Sequence, residues 1–237
     1  MSDLIVWQDL HMDEAEKLDK SKVIIIPLGT IEPHGNHLPL KTDLSSPELI
    51  AKEVCKRTGS ILGVSIPFGW SAEMTGFPGT LTLKASTYIG LIEDIAESYY
   101  NNGFKKIVFI NGHGGNPPYI QVAMANLAKN HRDIKIRNCD WYSGYYLGEE
   151  RKKEYKGNHA YKAEVEMMML ADKKSVKMDK AVDYEANWTK VWKADLTKIM
   201  PKCVDGEPTK ANEKDAKELL EAVVTKISEI VEEIKKY

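Results

Sequence analysis

Residues 23–57 read VIIIPLGTIEPHGNHLPLKTDLSSPELIAKEVCKR, and the order of features in that stretch decides the fold class. Val23–Pro27 is an apolar, β-branched run bounded by turn residues, the pattern of a strand buried on both faces. From Leu44 to Arg57 the period becomes helical. Ser45-Ser46-Pro47 offers an N-cap followed by a proline, and Leu49, Ile50 and Val54 fall on one face. The unit then repeats. Ile61–Ile66, Ile107–Ile110 and Ile134–Ile136 read as further strands. Ser86–Asn101 spaces Tyr88, Leu91, Ile92, Ile95, Ala96 and Tyr99 along a helical face and stops at Asn101-Asn102-Gly103. Asn116 offers a cap, and Pro117 a first helical position, for a helix carrying Ile120, Ala123, Met124 and Leu127. Strands alternating with helices predict an α/β fold: three layers, α/β/α, around a largely parallel central sheet.

Between Asp140 and Asn158 the periodicity fails and aromatics gather: Trp141, Tyr142, Tyr145, Tyr146 and Tyr155. A helical pattern resumes over Ala160–Ala171. Lys177–Pro208 is polar and irregular, with Trp188 and Trp192, and reads as a long excursion. Ala211–Lys236 is strongly amphipathic, with Ala216, Leu219, Leu220, Val223, Ile227, Ile230 and Ile234 as a stripe for the core or a subunit interface. No internal repeat, low-complexity segment or linker is present, so one domain over 1–237 is expected.

Composition narrows the function classes. With Lys+Arg 33 against Asp+Glu 35, the net charge of −2 gives no long-range attraction to nucleic acid or anionic lipid. No apolar run approaches the roughly 20 residues that span a bilayer, and the N-terminus is acidic where a signal peptide is basic. The 3 cysteines are odd in number and widely spaced, which suits neither a disulfide framework nor a thiolate zinc site. The expectation is a soluble, cytoplasmic protein with a small-molecule substrate and neither a nucleic-acid nor a membrane partner.

The chemistry concentrates in three segments. Gly29–Asp43 holds Glu32, His34, His37 and Asp43; Asn111–Asn116 reads NGHGGN around His113; Gly157–Glu166 holds His159 and Glu164. Four of the 6 histidines therefore lie in three short stretches. Glu32, His34 and His113 each follow the carboxyl end of a strand, where open parallel sheets bind ligands. If those strands are neighbours, one pocket collects Glu32, His34, Asp43 and His113. Mixed imidazole and carboxylate donors without thiolate suit catalytic zinc, manganese or iron. An aspartate can bridge two ions about 3.5–4 Å apart, an arrangement that activates the water between them. The N-terminus of the helix after Asn116 could hold an anionic group of the substrate.

At these residues the chain resembles the creatininase (creatinine amidohydrolase) family. PLGTIEPHGNHLPLKTD at Pro27–Asp43 is similar to that family's PLGSxEQHGPHLPLxTD, and FPGTLTL at Phe77–Leu83 and NGHGGN match two further blocks. His159 and Glu164 keep the spacing of its HAGExE element, and GEPTKA at Gly206–Ala211 is like its late GxPxxA turn. The resemblance implies that Glu32 and His113 hold one metal, His34 the other, and Asp43 bridges them. Glu164 would be a further ligand or a proton carrier, His159 a substrate contact or acid, and His37 a residue orienting a ligand. It also implies an α/β/α homo-oligomer, often hexameric, with two divalent ions per subunit.

The departures are informative too. Creatininase proper has Glu where this chain has Gly115, and relatives tend to have His where it has Met74. Tyr161 and Lys162 replace the Gly and the first Glu of HAGExE. The implied activity is metal-dependent hydrolysis of a small polar molecule at a non-peptide C–N bond, a cyclic amide or formamide, by hydroxide bridging the metals. His159 or Glu164 would protonate the leaving nitrogen. Hydrolytic ring opening of a cyclic keto-inositol at a C–C bond is the alternative, with the aromatics of 141–155 and Lys162 facing a hydroxylated ring. A phosphate-bearing substrate would have only Lys41 and Lys162 as basic loop partners. A relative that only binds metal or ligand is the third reading.

Overall fold

The computed structural model describes residues 3–147, 153–188 and 196–237. Its sheet is parallel throughout and runs in the order β1 (Ile5–Val6), β3 (Ile61–Leu62), β2 (Val23–Leu28), β4 (Lys106–Asn111), β5 (Lys135–Asp140). Every residue of β2 is buried, as its uninterrupted apolar run requires of a central parallel strand. Alternate residues serve opposite faces. Val23, Ile25, Val108 and Ile110 pack towards α2 (Thr42–Thr58), α6 (Lys162–Asp172) and α8 (Glu213–Lys235). Ile24, Ile26, Ile107 and Phe109 pack towards α3 (Ala85–Asn101) and α4 (Pro117–Asn130). This is the expected α/β/α layering. The short helices are α1 (Met12–Lys17), α5 (Gly144–Leu147), whose Tyr146 and Leu147 join the core under α8, and α7 (Leu196–Ile199).

The stripe on α8 is core: Ala216, Leu219, Val223, Ile227 and Val231 are buried against α2 and α6. Burying each larger aliphatic side chain is worth about 1.5–3 kcal/mol before entropy is counted. The aromatic cluster is mostly core as well, since Trp141, Tyr146 and Tyr155 are buried in the layer that α8 covers. A second sheet pairs β6 (Gly157–His159) with β7 (Asp205–Gly206), antiparallel, and anchors the 177–208 excursion; Trp192 lies outside the described residues. Among the described residues no helix is long and apolar enough to cross a membrane.

Three local expectations are corrected. The helix α2 begins at Thr42, so Ser45 and Ser46 are not caps and Pro47 sits inside the helix. Lys41 provides the entry instead, its carbonyl accepting from the amides of Leu44 and Ser45. The run Ile61–Ile66 is ladder only at Ile61 and Leu62. Residues 63–66 still follow β2, through Gly63 N–H to Ile25 O and an isolated bridge between Leu28 and Ile66. Asn116 makes no side-chain cap on α4, because its Oδ1 accepts from Trp70 N–H (3.0 Å) and its Nδ2 donates to Asn111 Oδ1 (3.1 Å).

Candidate metal centre

The two central strands pair in register from Val23↔Lys106 to Leu28↔Asn111, so the loops that follow them leave the same edge side by side. That register brings Glu32 and His34 against His113. Asp43 enters from below in the first turn of α2, where the helix N-terminus favours a carboxylate. His159 ends β6 and Glu164 lies in the first turn of α6, one short turn later.

Asp43 holds the middle. Its Oδ1 is 2.8 Å from His34 Nε2 and its Oδ2 is 2.9 Å from His113 Nδ1. Glu32 Oε1 lies 3.4 Å from His113 Nδ1 and 3.7 Å from His159 Nδ1. Glu164 Oε1 is 3.6 Å from His34 Nε2, and the His34 and His159 rings are 4.3 Å apart. The donor atoms form three compact triads: Glu32–Asp43–His113, His34–Asp43–Glu164 and Glu32–His34–His159. All six side chains are buried.

Each imidazole places its far nitrogen on a backbone carbonyl. His34 Nδ1 is 3.1 Å from Glu32 O, His113 Nε2 is 2.9 Å from Trp70 O, and His159 Nε2 is 2.8 Å from Pro33 O. A carbonyl only accepts, so these nitrogens carry the protons and the opposite nitrogens face the cluster. Behind the ligands, Ser71 Oγ donates to Glu32 Oε2, while Asn111 Nδ2 (2.8 Å) and Tyr142 OH (3.1 Å) donate to His113 O. Ser71 and Trp70 come from an aperiodic loop; Ser71 opens the Ser71–Met74 segment in which relatives tend to have His at position 74, but nothing in that pattern marks either residue as a support for the ligands.

The electrostatics are those of a metal centre in its protonated form. Burial disfavours charge on His34 and His113, yet the Asp43, Glu164 and Glu32 carboxylates hold both imidazoles well above their ordinary range. Burial likewise pushes Glu32 and Asp43 up, while His113 and His159 pull Glu32, and His34 and His113 pull Asp43, below the ordinary carboxylate range. Burial, then the His34 charge, lowers His159 below its ordinary value. Three carboxylates and three imidazoles buried together, with no thiolate, suit two divalent ions sharing Asp43. One atom fits a metal ligand independently of the grouping. His34 Nε2 is fully buried and 2.8 Å from Asp43 Oδ1, yet it is not aligned for a hydrogen bond.

Residues 8–231 match the family model described as creatininase, creatinine amidohydrolase. The chain belongs to the creatininase family. It is 29% identical over 121 residues to the creatinine amidohydrolase of Pseudomonas putida, covering 49% of this chain and 45% of that one. It is 30% identical over 141 residues to the 3-dehydro-scyllo-inosose hydrolase of Thermotoga maritima, covering 58% of this chain and 45% of that one. The chain thus spans about half the length of these curated relatives. A solved creatininase described as the Zn–Zn type superposes with a TM-score of 0.87 at 21% identity over 98% of both chains, a likeness of fold.

Two features distinguish this creatininase-family chain at its centre. A Cβ on Gly115, where creatininase proper has Glu, would lie 2.5 Å from His113 Nε2 and 2.6 Å from Trp70 O. The His113–Trp70 hydrogen bond occupies that space, and Glu164 supplies the carboxylate of the His34–Asp43 triad. The cavity above the donors, about 200 Å³, is walled by Glu73, Met74, Trp188, Leu196 and Met200.

The basic groups read as substrate contacts are engaged elsewhere. Lys41 pairs with Asp172 (2.7 Å), and Lys162 pairs with Asp215 (2.6 Å) over the Tyr155 ring. The aromatics of 141–155 do not line the cavity either. The start of α4 is no anion site, because Pro117 and Pro118 have no N–H and the Tyr119 amide bonds Asn116 O. His37 stands behind the donors with Nε2 3.2 Å from Ala160 O. His11 is exposed, whereas His131 is only partly so and pairs with Glu97 at 3.0 Å.

Proposed function

We propose that this protein is a two-metal hydrolase that cleaves a non-peptide C–N bond, a cyclic amide or formamide, in a small polar molecule, with residues 1–237 acting as one domain. The observation that carries the reading is Asp43, whose two oxygens reach two separate His/carboxylate triads. Glu32 and His113 would hold one ion, His34 and Glu164 the other, and Asp43 both. Zinc, manganese or iron suits this donor set, and such a pair supplies an activated water and a Lewis acid for the carbonyl.

The protein's own part is to position and to move protons. Ser71 and the Trp70, Glu32 and Pro33 carbonyls fix the donors before substrate arrives. His159 Nδ1 faces the cluster with its lone pair, because Pro33 O holds the proton on Nε2, so it would take a proton there and pass it to the leaving nitrogen. Met74, Leu196 and Met200 keep the 200 Å³ cavity partly apolar, which strengthens every charge interaction inside it.

The name of one relative, a creatinine amidohydrolase, supports hydrolysis at such a bond, and another relative is a keto-inositol hydrolase. That alternative ranks second because the aromatic segment and Lys162 that favoured it pack away from the cavity. The test is to strip the metal, restore zinc, manganese or iron, and screen creatinine, formamides and keto-inositols. Metal-restored turnover of an amide or formamide supports the proposal. Turnover undiminished in the fully stripped protein refutes it.

A further inference from the structure

His159 and Glu164 reach the same centre from opposite sides of one tight reversal, and the residue at its apex is under strain. Ala160 has φ +52°, a left-handed conformation that L side chains avoid. It separates the last residue of β6 from Tyr161, the N-cap of α6, whose amide bonds Glu164 Oε2 at 3.3 Å. Were Ala160 to relax, the direction of α6 would change, and with it the aim of both His159 and Glu164.

Something outside the turn must hold it, and the candidate is His37. Its ring is 1% exposed, and Nε2 lies 3.2 Å from Ala160 O, which can only accept, so Nε2–H donates. Its own carbonyl accepts from Lys177 N–H at 2.9 Å, which fixes the ring's base. Its Nδ1 is buried without a hydrogen bond among the described residues. The ring is therefore tied down on one side only, by its bond to Ala160 O, while the idle nitrogen carries the cost of burial without a partner. The ring is also wedged: Gly35 has φ +61°, and a Cβ there would lie 2.8 Å from His37 Nδ1 and 2.9 Å from Val204. The first motif thus braces the third across the pocket.

We infer that His37 is a positioning residue that holds the left-handed turn at Ala160, and through it the aim of His159 and Glu164. This rests on the proposed two-metal reading for its consequence, though the turn itself can be tested without metal. The His37→Leu variant removes the donor, His37→Gln keeps an N–H near Nε2, and His37→Leu with Ala160→Gly lets the turn form without strain.

Zinc affinity is measured by competition with a chromophoric chelator. His37→Leu should weaken the more labile zinc 10- to 100-fold, as removal of a ligand's support does. His37→Gln and the double variant should recover most of that loss. Amide hydrogen exchange on the metal-free protein should quicken at Glu164 and Val165, whose amides bond Tyr161 O, and stay unchanged in β2 and β4. Unaltered exchange there in folded His37→Leu, or a His37→Gln as defective as His37→Leu, overturns the inference. If His37→Leu does not fold, the double variant decides: a double variant that folds and binds zinc supports the inference, and one that does not overturns it. Wild-type protein that binds no zinc refutes the metal reading instead, and the exchange result then stands alone.

Discussion

Replacing Asp43 by Asn keeps the side chain's shape and removes its charge. In the proposed wild-type centre three carboxylates, Glu32, Asp43 and Glu164, would face two divalent ions, leaving a net charge of about +1 in a buried site. In the variant that excess becomes about +2, and the amide nitrogen is no ligand for whichever ion it faces. An uncompensated buried charge costs about 3–5 kcal/mol, or roughly 10²- to 10⁴-fold in the affinity of one ion. Dialysis against dilute zinc followed by elemental analysis should give two ions per chain for the wild type and one or none for Asp43→Asn. Chelator competition should place the lost affinity within that range. Both should share the same far-UV circular dichroism, since Asp43 begins rather than supports α2. An Asp43→Asn protein retaining two zinc ions at wild-type affinity would refute the bridging role.

Gly115→Ala should weaken zinc binding at least tenfold, because the new methyl group meets His113 Nε2 and Trp70 O and breaks the bond that aims His113; chelator competition measures it. Metal binding at pH 7 should release about two protons per chain, since His34 and His113 are held protonated in the metal-free protein and an ion must displace both protons. Zinc affinity should therefore rise with pH through that range, while the stability these imidazolium–carboxylate pairs lend the metal-free protein is present below pH about 6.5 and lost as pH rises through their raised values. Calorimetry in buffers of different ionisation enthalpy counts the protons. Burial pushes the thiols of Cys55 to about 12 and of Cys139 and Cys203 to about 11, so a thiol reagent at pH 8 should label none in the native protein and three after denaturation.

Much of this site could be read along the chain because its donors follow strand ends. The β-branched runs at 23–27 and 107–110 announced two buried strands, and the pairing of those strands in register carried Glu32, His34 and His113 to one edge. What escaped was whatever depends on distant contacts. Ser71 and Trp70 sit in an aperiodic loop, yet they fix Glu32 and His113. Asn116 reads as a cap before a proline, but its amide is drawn to Trp70 and Asn111. Pro47 suggests a helix start because a proline normally wants the first turn, and here the chain turns into α2 earlier, at Lys41. Lys162 and the aromatics of 141–155 have the chemistry of a sugar site, and only packing reveals that Asp215 and α8 claim them.

Two ions sharing Asp43 would be the heart of the proposed chemistry. Crystals of the zinc-loaded protein, measured on either side of the zinc absorption edge, would locate them. Two anomalous peaks per chain are expected, about 3.5–4 Å apart, one contacting Asp43 Oδ2, Glu32 and His113 and the other Asp43 Oδ1, His34 and Glu164. A single peak, or a pair to which Asp43 contributes only one oxygen, would contradict the proposed centre.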